Sequence, residues 1–226
     1  MILYKNYYGW WKNIDKSILF TIILLFGLGL FFSLVSTSLI ASDRLNTNSY
    51  YFFIKHLIFI FFGLSIMFLF SLVKENYLIK LSILFFILSF LFLLLVPIIG
   101  IEVKGSKRWL DLPFLPRFQP VELIKPFYIV ILSSLLNHQK YNLYFKYLLT
   151  LFLIIPIILL LISQPDIGQS ILIILTWLAL VFVSGINLII FFSLFGILII
   201  LLSYLIFFVE KFNYIKIRIF SFFDSS

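Results

Sequence analysis

The chain has 226 residues, of which 63% are hydrophobic and only 12% charged, with a formal net charge of +8. A water-soluble domain carries roughly 25% charged residues because it must cover its core, so this composition excludes one, and the length is better read as a count of membrane spans. Cysteine is absent and the two histidines, His56 and His138, lie far apart, which excludes disulfide and thiolate chemistry and leaves no ligand-like histidine spacing.

A spanning helix needs about 20 mostly apolar residues. Seven stretches come close, at 17–41, 57–73, 78–99, 121–136, 144–162, 167–185 and 188–209. The second and fourth are short and are expected to recruit flanking residues. Together they predict an all-α polytopic membrane protein and a single transmembrane domain over 1–226. The first run is long enough to span and has no small-residue cleavage site after it, so it is not read as a removable signal peptide. Pro97 and Pro156 fall inside apolar runs, where neighbouring helices can re-satisfy the freed backbone groups.

The basic residues sit in loops between these runs, a pattern that suits lipid headgroups or an anionic lipid-linked substrate and not nucleic acid. Raw counting of loop lysines and arginines favours an outside N-terminus. Half of the lysines and arginines that a cytoplasmic N-terminus would place outside, however, come from the one dense segment Lys104, Lys107, Arg108, Arg117 and Lys125. The flanks of the first span carry Lys5, Lys12 and Lys16 on one side against Arg44 on the other, which favours a cytoplasmic N-terminus.

The segment 101–125, IEVKGSKRWLDLPFLPRFQPVELIK, is too charged for a plain connector. Pro113, Pro116 and Pro120 interrupt any long helix, so it is expected to form a polar interfacial or re-entrant loop lining a cavity. Lys107, Arg108 and Trp109 offer two cations and a flat aromatic face, suited to a diphosphate beside a sugar or lipid. The same residues also fit snorkelling cations with an interfacial Trp. Gln119-Pro120 opens the next helix. Glu122 and Lys125 then share one face inside an apolar span, either as a site or as an ion pair that fixes packing. Further on, Asp166 is placed to cap the sixth span with Gln169 reaching back as in a capping box, or to face a substrate or metal ion. The end of the chain, with Ile215-Lys216-Ile217-Arg218-Ile219, fits a strand or an interfacial amphipathic helix.

Three groups of residues carry a resemblance: Lys104-Gly105-Ser106-Lys107-Arg108-Trp109-Leu110, Phe118-Gln119-Pro120-Val121-Glu122-Leu123-Ile124-Lys125-Pro126, and Gln164-Pro165-Asp166-Ile167-Gly168-Gln169. In this order and between these spans they resemble the SEDS family (shape, elongation, division and sporulation). Trp10-Trp11, Asp15-Lys16 and the run from Arg218 to Asp224 look closer to its cell-division members than to its elongation members. Val121 departs from the serine usual there, removing a small hydroxyl contact. The resemblance implies a fold of about ten helices, of which this chain holds about seven. It also implies a cytoplasmic N-terminus and location in the bacterial cytoplasmic membrane, at the division septum.

By the same resemblance the activity is peptidoglycan glycosyltransfer. Lipid II, the undecaprenyl-diphosphate-linked disaccharide peptide, is polymerised with a class B penicillin-binding protein and other division proteins as partners. Carried over by position, Lys104, Lys107, Arg108 and Trp109 bind the lipid-linked diphosphate, and Gln119, Glu122, Lys125, Gln164 and Asp166 line the cavity. No cofactor is expected in this chain, and a divalent cation is open for the complete enzyme. The family's catalytic Asp is expected beyond Ser226, with Asp224 matching an earlier residue, so the chain reads as truncated and inactive alone. A lipid II flippase and a non-catalytic division scaffold use the same features.

Overall fold

The computed structural model describes residues 7–37, 50–103, 106–113, 116–139, 141–213, 216–217 and 220–221. Lys104 and Gly105, Arg44, Arg218 and Asp224 lie outside the described residues. In chain order the elements are α1 (Tyr7–Asn13), α2 (Lys16–Thr37), α3 (Tyr51–Ser71), α4 (Glu75–Ile99), β1 (Ile101–Val103), β2 (Ser106–Trp109), α5 (Pro120–Asn137), α6 (Leu143–Ser163), α7 (Ile167–Val183) and α8 (Leu188–Phe208), with a 3-10 turn at Glu210–Phe212. Among the described residues six helices are long and apolar enough to cross a membrane, namely α2 to α6 and α8, while α7 is a shorter apolar helix.

Local chemistry sets the ends of these helices. Asp15 Oδ1 accepts from the amides of Ser17 and Ile18 at 2.9 and 3.1 Å, starting α2. Asn142 Oδ1 accepts from Phe145 N at 3.2 Å and Asn187 Oδ1 from Ile189 N at 2.9 Å, starting α6 and α8 in the same manner. At the far end of α7, Gly185 adopts a φ of 89°, the left-handed conformation that closes a helix, and its N–H donates to Phe182 O.

The contacts divide the chain into two compact units, residues 1–78 and 79–226. In the first, Trp10 Nε1 donates to Ser71 Oγ at 3.0 Å and its ring meets Phe68 edge-on, tying α1 to the end of α3. Neither α2 nor α3 buries a residue of its apolar window. Surfaces like these are unstable in water and ordinary against lipid tails.

In the second unit α5, α6 and α7 make the core. Val121, Ile124, Tyr128 and Leu132 of α5, Ile154, Ile157 and Leu161 of α6, and Ile173, Trp177 and Val181 of α7 are buried together with Leu93 of α4. Their spacing of three and four puts each set on one helix face. Polar ties cross this core. Trp177 Nε1 donates to Thr150 Oγ1 at 3.1 Å. Lys146, in the first turn of α6, is buried, and its Nζ donates to the Leu136 carbonyl at 2.9 Å, satisfying an orphan acceptor at the end of α5.

Candidate functional site

The residues following α4 fold into a two-stranded antiparallel hairpin, an arrangement that the charged sequence does not announce. Ile101 pairs with Trp109, Glu102 with Lys107 and Val103 with Ser106. The register shifts between the first two pairs, so Arg108 has no residue opposite it and forms a bulge. Bulges re-aim side chains, and this one separates Arg108 from its neighbours. Lys107 and Trp109 are exposed, while Arg108 is half-buried. The chain then returns across an isolated bridge, Leu110 to Phe118, with amide–carbonyl distances of 3.0 and 3.2 Å. Leu110 is fully buried and Phe118 meets Phe92 of α4 edge-on, which seats the return strand on the core. Arg117 Nε and Asp111 Oδ2, 2.8 Å apart, tie the two ends of this return together.

Gln119 occupies the N-cap position of α5 and Asp166 that of α7. The two helices start side by side, and their first turns are joined in rungs. Gln119 Nε2 donates to Asp166 Oδ2 at 2.9 Å. One turn on, Gln169 Nε2 donates to Glu122 Oε1 at 2.7 Å. Lys125 Nζ closes that rung by donating to Gln169 Oε1 at 3.1 Å and pairing with Glu122 Oε2 at 2.6 Å. Glu122 and Lys125 thus form the ion pair allowed by their spacing, with Gln169 as a third member. The expected capping box is not completed: the Gln169 backbone N–H favours the charged Asp166 carboxyl without reaching full cap geometry, that carboxyl also accepts from Gln119, and the Gln169 side chain goes to α5.

Arg108 docks on this junction. Its Nη2 donates to the Pro165 carbonyl at 2.7 Å and its Nη1 lies 3.5 Å from Asp166 Oδ1. Its Nε is buried without a partner among the described residues. Asp166 is itself buried, its side chain only 5% exposed. Burial pushes its carboxyl above the usual carboxylate range; the Arg108 charge, the Gln169 backbone N–H and the Gln119 amide oppose that push, and the Glu122 charge adds to it.

Among the site residues expected from sequence, Arg108, Gln119 and Asp166 therefore converge, and Glu122 and Lys125 form the adjoining rung. Lys107 and Trp109 sit on the outer hairpin face. Gln164 is buried with its Nε2 3.5 Å from the Leu93 carbonyl of α4. Gln169 belongs to the cluster although its sequence signal was only that of a cap; its spacing of three from Asp166 was the available clue. Chemically, the arrangement offers a half-buried guanidinium beside two converging helix N-termini, a setting that favours an anion. The carboxylates of Asp166 and Glu122 already claim part of that positive field. Among the described residues no group of three or more His, Asp or Glu side chains comes together.

This is a polytopic helical membrane protein with a polar, partly buried constellation where two of its central helices begin. The chain belongs to the cell cycle protein family of FtsW, RodA and SpoVE, whose pattern matches residues 16–226. It is similar to a probable peptidoglycan glycosyltransferase FtsW from Coxiella burnetii, 33% identical over 189 residues that cover 81% of this chain and 50% of that protein. A probable FtsW from Wigglesworthia glossinidia brevipalpis is 32% identical over 77% of this chain and 46% of its own length. Among solved structures, the rod shape determining protein RodA of Thermus thermophilus superposes with a TM-score of 0.64 at 25% identity, covering 83% of this chain and 60% of that one. A peptidoglycan synthase complex described as coordinating polymerization and crosslinking gives 0.70 at 24% identity, over 91% of this chain and 59% of its own, a likeness of fold. The chain spans about half the length of the FtsW relatives it matches.

Proposed function

We propose that this chain carries the substrate-binding side of a peptidoglycan glycosyltransferase that polymerises lipid II during cell division. On this reading it sits in the bacterial cytoplasmic membrane at the septum, N-terminus in the cytoplasm, and works with a class B penicillin-binding protein. The observation that carries the proposal is Arg108. A bulge aims it at the Pro165–Asp166 turn, and among the described residues its Nε has no partner where two helix N-termini meet. The FtsW relatives supply the reaction class.

In such a transfer an acceptor sugar hydroxyl attacks the anomeric carbon and the lipid diphosphate departs. Developing negative charge on that diphosphate is stabilised by prearranged cations. Arg108 is suited to this as a prearranged positive charge, held in place by Pro165 O and Asp166, and Lys107, exposed on the same hairpin, adds charge. Trp109 presents a ring face for a sugar or lipid. A general base must take the hydroxyl proton; Asp166 and Glu122 are engaged by Arg108, Gln119, Lys125 and Gln169, so neither is assigned that role. The base is expected in the sequence that follows these residues in full-length relatives.

The test is polymerisation of labelled lipid II by a protein extended to the length of its relatives. Arg108→Ala and Trp109→Ala are expected to reduce glycan strands on the order of 100-fold while the protein stays folded. Unchanged synthesis would sink the site assignment. Movement of lipid II across vesicles with no polymer formed would instead favour transport.

A further inference from the structure

Pro97 lies inside α4, two residues before its end. Proline has no amide hydrogen, so the carbonyl four residues earlier, that of Leu93, loses its helical donor. Leu93 is buried, and at membrane depth no water replaces a missing donor. The side-chain donor facing that carbonyl is Gln164 Nε2, 3.5 Å away and itself buried. The contact is long, yet it meets a carbonyl that the sequence leaves short of a partner. The Gln164 backbone is fixed separately, its N–H donating to Leu160 O and Leu161 O at 3.1 Å each as α6 ends. The next two residues are Pro165 and Asp166, which supply both contacts of Arg108.

We propose that Gln164 is a positioning residue: its carboxamide closes the gap that Pro97 opens in α4 and so holds the Pro165–Asp166 turn, and Arg108 with it, against that helix. The family resemblance suggested a substrate contact for this glutamine; its burial and its orientation toward α4 give it a different task. The inference rests on the glycosyltransferase reading only for its activity measurement.

A mutant cycle on the full-length protein tests it, because Pro97→Ala returns an N–H to the Leu93 carbonyl and makes the glutamine dispensable. With Pro97 in place, Gln164→Leu should lower kcat for lipid II polymerisation about tenfold with KM within about twofold. With Pro97→Ala as background, the same change should cost less than about twofold. Equal losses in both backgrounds, or a rise in KM with kcat kept, would overturn the proposal in favour of a substrate contact. If the unmutated protein makes no polymer, the glycosyltransferase reading fails, and the melting temperatures of the four proteins still decide the tie. Gln164→Leu should lower melting by about 2–4 °C beside Pro97 and negligibly in the Pro97→Ala background. A drop of the same size in both would reject it.

Discussion

Replacing Arg108 by alanine leaves Asp166 as a buried carboxylate with one side-chain donor, Gln119. At a separation of 3.5 Å the gross attraction lost is about 4–5 kcal/mol at an effective dielectric of 20. Part of that was already offset by desolvation. Stripping one partner from a buried pair costs about 3–5 kcal/mol, and Arg108, whose side chain is 30% exposed, belongs below that range, at about 2–3 kcal/mol. For a chain of this size that corresponds to about 5–10 °C in melting temperature. The assay is thermal unfolding in detergent, followed by tryptophan fluorescence. The diagnostic comparison is the double variant Arg108→Ala with Asp166→Asn, which removes the orphaned charge but keeps an oxygen to accept from Gln119. It should regain more than half of the loss. If it melts no higher than Arg108→Ala alone, the reasoning from a buried, arginine-compensated carboxylate is wrong.

Two further outcomes follow from the same region. Because burial raises the Asp166 carboxyl above its ordinary 3.8, the folded chain binds that proton more readily than the unfolded one. The associated stability is complete below pH 3.8 and is lost as pH rises through the raised folded value. Asp166→Asn should flatten that part of a melting-temperature series against pH; an unchanged slope would assign it to another group. At the end of α4, a Cβ on Gly100 would collide with the Val96 carbonyl oxygen that accepts the Gly100 N–H. Gly100→Ala should therefore cost about 1–3 kcal/mol, read as earlier melting, and a variant as stable as the parent would show that this turn relaxes freely.

The membrane-spanning character of the chain was legible because an apolar run of spanning length has few alternatives. The run at 57–73 looked short since Lys55 and His56 interrupt its start; the helix begins at Tyr51 all the same, because a helix that has begun continues through single polar residues. The hairpin was not legible. Strands of three and four residues carrying Glu102, Lys107 and Arg108 have neither the length nor the alternation that announces a strand. Nor does any local rule say that Arg108 sits out of register, since a bulge depends on the partner strand. Sequence spacing gave the Glu122–Lys125 pair, both members being on one helix. It could not give Gln169 or Gln119–Asp166, which depend on two helices separated by the whole of α6 starting side by side.

That arrangement bears on how the chain enters its membrane. α5 is the least apolar of the described spans and carries an acid and a base into the bilayer near its start. When it leaves the ribosome only its own Glu122–Lys125 pairing is available to mute those charges. The amide from Gln169 and the carboxylate that receives Gln119 arrive 47 residues later. Secure insertion of α5 therefore waits on α7, and substitutions in the first turn of α7 should be felt during biogenesis as well as in the finished protein.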